Sequence, residues 1–226
     1  MTEREELLLK MYDQMHRDIH RHILVVWQSV GVVVGAFAIF ALVEKNVLPL
    51  DLAAGLMVLL CGWLIAHLLD ASYWYNRNLV IIANIERQFL APSDLREIHY
   101  YWGRHRESGA MLTHLRIQKY LGIGVATVVL LYHFSVRIYP GFYSTFEFGS
   151  FEPIRAVPYL ILLVVIVFSF YLRHNRNASY TEFLKNSPGR DVDDRGVFYG
   201  VGHRVSSSEC DKMRQDGEPP VSGTED

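Results

Sequence analysis

Cysteine is scarce in this 226-residue chain: only Cys61, inside an apolar run, and Cys210, in a polar segment, occur. Two thiols in such different surroundings exclude a disulfide framework and a cysteine-based metal site. Also missing are a GxSxG elbow, a Walker phosphate loop, a glycine-rich dinucleotide fingerprint and an HExxH pair. Each absence removes a familiar way of activating a nucleophile, holding a phosphate or binding zinc, and together they point away from an enzyme and give no reason to expect a cofactor. The formal charge of −2, with no basic stripe interleaved with aromatic rings, lacks the electrostatic footprint of a nucleic-acid partner.

Charge is missing altogether from residues 23–43 and again from 52–69, runs of 21 and 18 residues. About 20 apolar residues at 1.5 Å each cross the roughly 30 Å of bilayer hydrocarbon. Two more apolar runs follow near 121–136 and 157–172. The expected fold is therefore all-α: a polytopic membrane protein with four transmembrane helices in two hairpins. Its segments are an amphipathic N-terminal helix over 1–22, hairpin one over 23–69, a cytoplasmic helical hairpin over 70–118, hairpin two over 119–172, and a polar, mostly disordered tail over 173–226. The first span is not expected to be a cleaved signal, because acids are mixed with bases before it and the apolar run is too long.

Nineteen of the 22 Lys and Arg residues fall in 1–22, 70–119 and 173–226, leaving only Lys45, Arg137 and Arg155 in the other two connections. Basic residues resist translocation, so both termini and the middle connection are expected in the cytoplasm. On that topology the glycosylation-like Asn177-Ala178-Ser179 is a chance match. The connection over 139–153 carries six aromatics within 13 residues and suits the headgroup region.

Small residues recur along the spans at Gly31 and Gly35, Gly62 and Ala66, and Gly122 and Ala126. Such pairs let helix backbones approach closely in lipid, within one chain or between copies of a homo-oligomer. Span two does not stop cleanly: after His67 and Asp70 it continues through Tyr73, Trp74 and Tyr75 to Leu90 with no Gly or Pro before Pro92. One long helix extending several turns into the cytoplasm is expected, and after it a second helix capped by Ser93.

Ionisable groups at membrane depth are functional candidates, which singles out His67 and Asp70, with nearby Arg77. His133 and Arg137 form a similar pair at the outer end of span three, where Arg137 can snorkel outward. His16 and His20 have the i, i+4 spacing of two imidazoles on one helix face, but nothing completes a metal site. Asp191 to Gly196 fails as a calcium loop, since Arg195 and Gly202 stand at two ligand positions. Gln28, Ser29 and Thr127 are too few to line a polar path through one subunit, so any pore requires oligomerisation.

The plan resembles that of small bacterial inner-membrane proteins with four spans and a charged helical hairpin between the pairs, some of which are effectors or sensors. The resemblance covers the architecture alone. The continuous helical pattern across the interface leads to the expectation of an oligomeric, non-enzymatic membrane sensor or effector, with a pore as one form, whose helices over 70–118 transmit a signal or dock a cytoplasmic partner. The competing expectations are a small membrane enzyme or transporter using His67, Asp70 and Arg77, and a passive scaffold.

Overall fold

A computed structural model describes residues 2–90, 107–143 and 152–188. The described residues form helices and no strand, and four of the helices are long and apolar enough to cross a membrane. The expected helix after Ser93, residues 144–151 of the aromatic connection and the tail beyond 188 lie outside the described residues.

Helix α1 (Glu3–Gly35) begins with a reciprocal cap: the Thr2 hydroxyl accepts from the Glu5 amide, and the Thr2 amide donates to the Glu5 carboxylate at 2.7 Å. Three acids in its first turn complement the partial positive charge of that end. No Gly or Pro interrupts the chain before Gly31, so the amphipathic N-terminal segment and the first span form one continuous helix. A tight turn over Ala36–Ala38 leads into α2 (Ile39–Glu44). The reversal that follows uses Asn46 at φ 55°, a left-handed conformation that asparagine tolerates better than most residues.

Helix α3 (Leu50–Phe89) has 40 residues and spans about 60 Å, twice the hydrocarbon thickness. It is the axis of the fold. The long helices α1, α4 (Thr113–His133) and α5 (Val157–Lys185) each pack against α3, and hardly against one another. Ala54, Met57, Cys61, Leu64 and Leu68 of α3 are almost fully buried. By contrast, only 6% of the most apolar window of α5 is buried, and Leu163, Val164, Val167 and Phe170 are all more than half exposed. An apolar surface of that extent is stable facing lipid.

Two glycines of α3 set the approach of α5. A Cβ on Gly62 would lie 2.5 Å from both γ-methyls of Val165, and one on Gly55 would lie 3.0 Å from the Ile161 Cδ1. Gly122 of α4 faces Leu64 and Ile65 at 3.4–3.7 Å. Gly31 and Gly35 differ: nothing lies within 4 Å of where their side chains would begin. The face of α1 that packs on α3 carries Val26, Ser29 and Val33. At 100° per residue both glycines fall on the opposite side, so they do not serve packing within one chain. Ala126 packs beside the Cys61 and Leu64 core, whereas Ala66 is half-buried.

Candidate functional site

Ionisable side chains gather at both ends of α3. At its N-terminal end Pro49 takes the cap position, so Asp51 falls in the first helical turn with its side chain turned into the bundle. There it meets two residues from the far end of α4. The His133 Nε2 lies 2.9 Å from Asp51 Oδ1, and both side chains are essentially inaccessible. Arg137, in a widened turn over Phe134–Ile138, donates from Nε to Oδ1 at 3.1 Å and from Nη2 to Oδ2 at 2.9 Å.

This fork-to-fork geometry holds Asp51 as a carboxylate, and a carboxylate only accepts hydrogen bonds. His133 Nε2 must therefore be the donor toward Asp51, so a singly protonated ring carries its proton there. Nδ1 is left as an acceptor, and the Tyr159 hydroxyl of α5 stands 3.1 Å from it. Tyr159, His133 and Asp51 thus form a continuous relay across three helices. The ring of Tyr159 meets that of His133 edge-on at 5.5 Å between centroids, which fixes the imidazole further.

A second layer covers this relay. Glu152 accepts from Arg137 at 2.8 Å and from Arg155 Nε at 3.0 Å, and Arg155 also donates to the Arg137 carbonyl at 3.2 Å. Asp51 and Glu152 balance Arg137 and Arg155, so with His133 neutral the assembly carries no net charge, as a cluster at the edge of hydrocarbon requires.

The other end of α3 is tied to the start of α1 and to the residues just past α5. From α1, Arg4 donates to the Gln88 side-chain oxygen at 3.1 Å, and the Tyr12 hydroxyl lies 3.2 Å from a Glu86 carboxylate oxygen. Just past α5, the Ser187 hydroxyl accepts from Asn84 at 3.1 Å. The entry to α4 is held by two donors on one carbonyl: Ser72 and Asn76 reach the Ala110 oxygen at 2.9 and 2.7 Å. Gly109 beside it has φ 76° and sits against the Asn177 side chain, so the glycosylation-like triplet lies on a packed stretch of α5.

His67, Asp70 and Arg77 each have a different partner. His67 lies edge-on to Trp63 at 4.6 Å, Asp70 pairs with Arg176 of α5, and Arg77 stacks over Trp74 and Phe183. The i, i+3 spacing placed His67 and Asp70 near each other, but each found a better partner. Arg137, expected to reach outward, turns inward because a buried carboxylate waits there. His16 packs edge-on against Tyr12, and His22 stacks on Trp74.

Asp51 is the member of the cluster that the sequence does not single out. Its signal was faint but physical: a lone acid one residue before an apolar run, at the bilayer depth where His133 and Arg137 share a face of another span. No family model, curated protein or solved structure matches this chain.

Proposed function

We propose that the chain is a non-enzymatic membrane sensor or effector in which α3 couples the Asp51 cluster on one side of the bilayer to a protein partner or signal on the other. The observation that carries this reading is the unbroken course of α3 from Asp51 to Glu86 and Gln88, with inter-helix ties at both ends. A helix is stiff along its axis, so a change in the cluster that tilts or rotates α3 is delivered to the opposite end. The middle of the helix is apolar through Met57, Cys61, Leu64 and Leu68, which favours mechanical coupling over solute passage through one chain.

In this reading the four long helices are two transmembrane hairpins. Both termini and the 70–118 region are cytoplasmic, because the basic residues concentrate there. A bacterial inner membrane suits that plan. Gly31 and Gly35 on the outward face of α1 are where a second copy of the chain would approach, and any pore would form between copies.

The test uses spin labels at exposed Asp13 and Glu182, one on each chain end beside α3. Arg137→Gln should shift the distance distribution between them, and inserting two glycines between Asn78 and Leu79 should abolish that response. A folded Arg137→Gln protein with an unchanged distribution removes the reading. A response that survives the glycine insertion shows that coupling does not run through α3.

A further inference from the structure

Because α4 and α5 both pack on α3 and scarcely on each other, a groove remains between them. It has a volume of about 420 Å³ and is mostly apolar, lined by residues such as Gly62, Ile123, Leu130, Leu162 and Val165, with the Thr127 and Ser169 hydroxyls as polar exceptions. From Arg173 to Leu162 it follows three turns of α5, about 16 Å, which is the depth of one bilayer leaflet. At its Lys119 and Arg173 end it adjoins a smaller polar cavity of about 170 Å³, and Leu69, Lys119 and Arg173 line both.

The small cavity is cationic. Lys119 and Arg173 have no acidic partner among the described residues, and Lys119 only overhangs the Tyr120 ring at 5.3 Å. Arg116 donates only to the Met111 carbonyl, at 3.4 Å. Arg176 pairs with Asp70 but keeps its buried Nε without a hydrogen-bond partner among the described residues. Positive charges with unused donors therefore converge at the mouth of an apolar channel one leaflet deep.

We propose that this joint site binds one anionic glycerophospholipid, with its phosphate between Lys119 and Arg173 and an acyl chain along the groove. The inference rests on the four helices being membrane spans and is independent of signal coupling through α3. A free anion would leave the groove uncovered, and a zwitterionic lipid would carry its own cation against Lys119 and Arg173. Basic pockets between spans at headgroup level favour anionic heads on general electrostatic grounds.

The full chain in nanodiscs of equal phosphatidylglycerol and phosphatidylcholine, released into native mass spectrometry, reads this directly. A single retained phosphatidylglycerol is expected, bound about 30-fold more weakly in the Lys119→Gln/Arg173→Gln double variant. Ile123→Trp, which fills the groove from a partly exposed position and leaves every cation in place, should also lose it. Arg17→Gln/Arg21→Gln, which removes two charges from α1, should keep it. Equal retention of the two lipids, selectivity that survives the double variant, or displacement by millimolar glycerol phosphate would each overturn the proposal, the last by assigning the cations to a soluble anion. If the double variant does not fold, the Ile123→Trp comparison decides alone.

Discussion

Asp51 and Arg137, separated by 86 residues, meet through two parallel hydrogen bonds of 2.9–3.1 Å, yet they are unequally buried: the carboxylate is 2% exposed and the guanidinium 30%. The asymmetry decides which half of the pair the fold can lose. Without Arg137 the buried carboxylate stays in place with only the His133 ring beside it. Without Asp51 the guanidinium still has Glu152 and access to solvent. Arg137→Gln should therefore destabilise by about 3 kcal/mol and Asp51→Asn by clearly less. Thermal unfolding in detergent, followed by fluorescence, gives the order, and the reverse order would show that Arg137 contributes little to holding the cluster.

Tyr159→Phe removes one hydroxyl and keeps the ring against His133. The lost hydrogen bond amounts to about 1 kcal/mol, and the imidazole gains freedom to rotate. Nitrogen-15 NMR of His133 should show a shifted Nδ1 resonance in Tyr159→Phe while Nε2 remains the protonated donor to Asp51. An unchanged Nδ1 resonance would mean that Tyr159 does not donate to it.

Acid should loosen the outer layer. The hydrogen bond from Arg155, reinforced by Arg137, holds the Glu152 carboxyl below its ordinary value. A group depressed in the folded state stabilises above its unfolded value, near about 4.3, and that contribution disappears as pH falls through the folded value. Wild type should thus be more stable than Glu152→Gln at neutral pH, and the difference should shrink as acid protonates the carboxyl. A difference that persists in acid would assign the role of Glu152 to packing.

The glycines divide by what stands opposite them. Gly62→Ala drives a methyl between the two branches of Val165, which no rotation of that side chain clears, and should destabilise by about 1–3 kcal/mol. Gly122→Ala meets ordinary contact distances and should be tolerated. Unfolding midpoints of the two variants settle whether the close approach of α5 to α3 is as tight as the geometry requires.

Gly31→Ala/Gly35→Ala tests self-association. In an isolated chain both substitutions add helix propensity on an open face, up to about 1 kcal/mol each. If copies pair through this face, the added methyls separate the backbones and the oligomer weakens while the monomer does not. Mass photometry of the two proteins in nanodiscs distinguishes these outcomes, and an unchanged oligomer would move any interface off α1.

The helices were legible in the sequence because membrane crossing imposes length and hydropathy on a contiguous stretch. The run from Tyr73 to Phe89 without Gly or Pro announced the extension of α3. Partner choice between helices was not legible. Asp70 and His67 lie close in sequence, but the guanidinium of Arg176 stands across from Asp70, and the Trp63 ring lies one turn from His67. The Asp51 cluster draws on residues 51, 133, 137, 152, 155 and 159. No periodicity spans those separations, and the alignment of their depths emerges only once three helices are packed.

The ribosome makes Asp51 first and Arg137 86 residues later. At about 5–20 residues per second, the acid exists for roughly 4–17 s before its cation is synthesised. During that interval Gly55 and Gly62 also lack the helix that will cover them. Biogenesis therefore passes through a half-built intermediate whose acidic and small-residue surfaces are open, and the insertion machinery or a neighbouring nascent copy has those seconds in which to engage them.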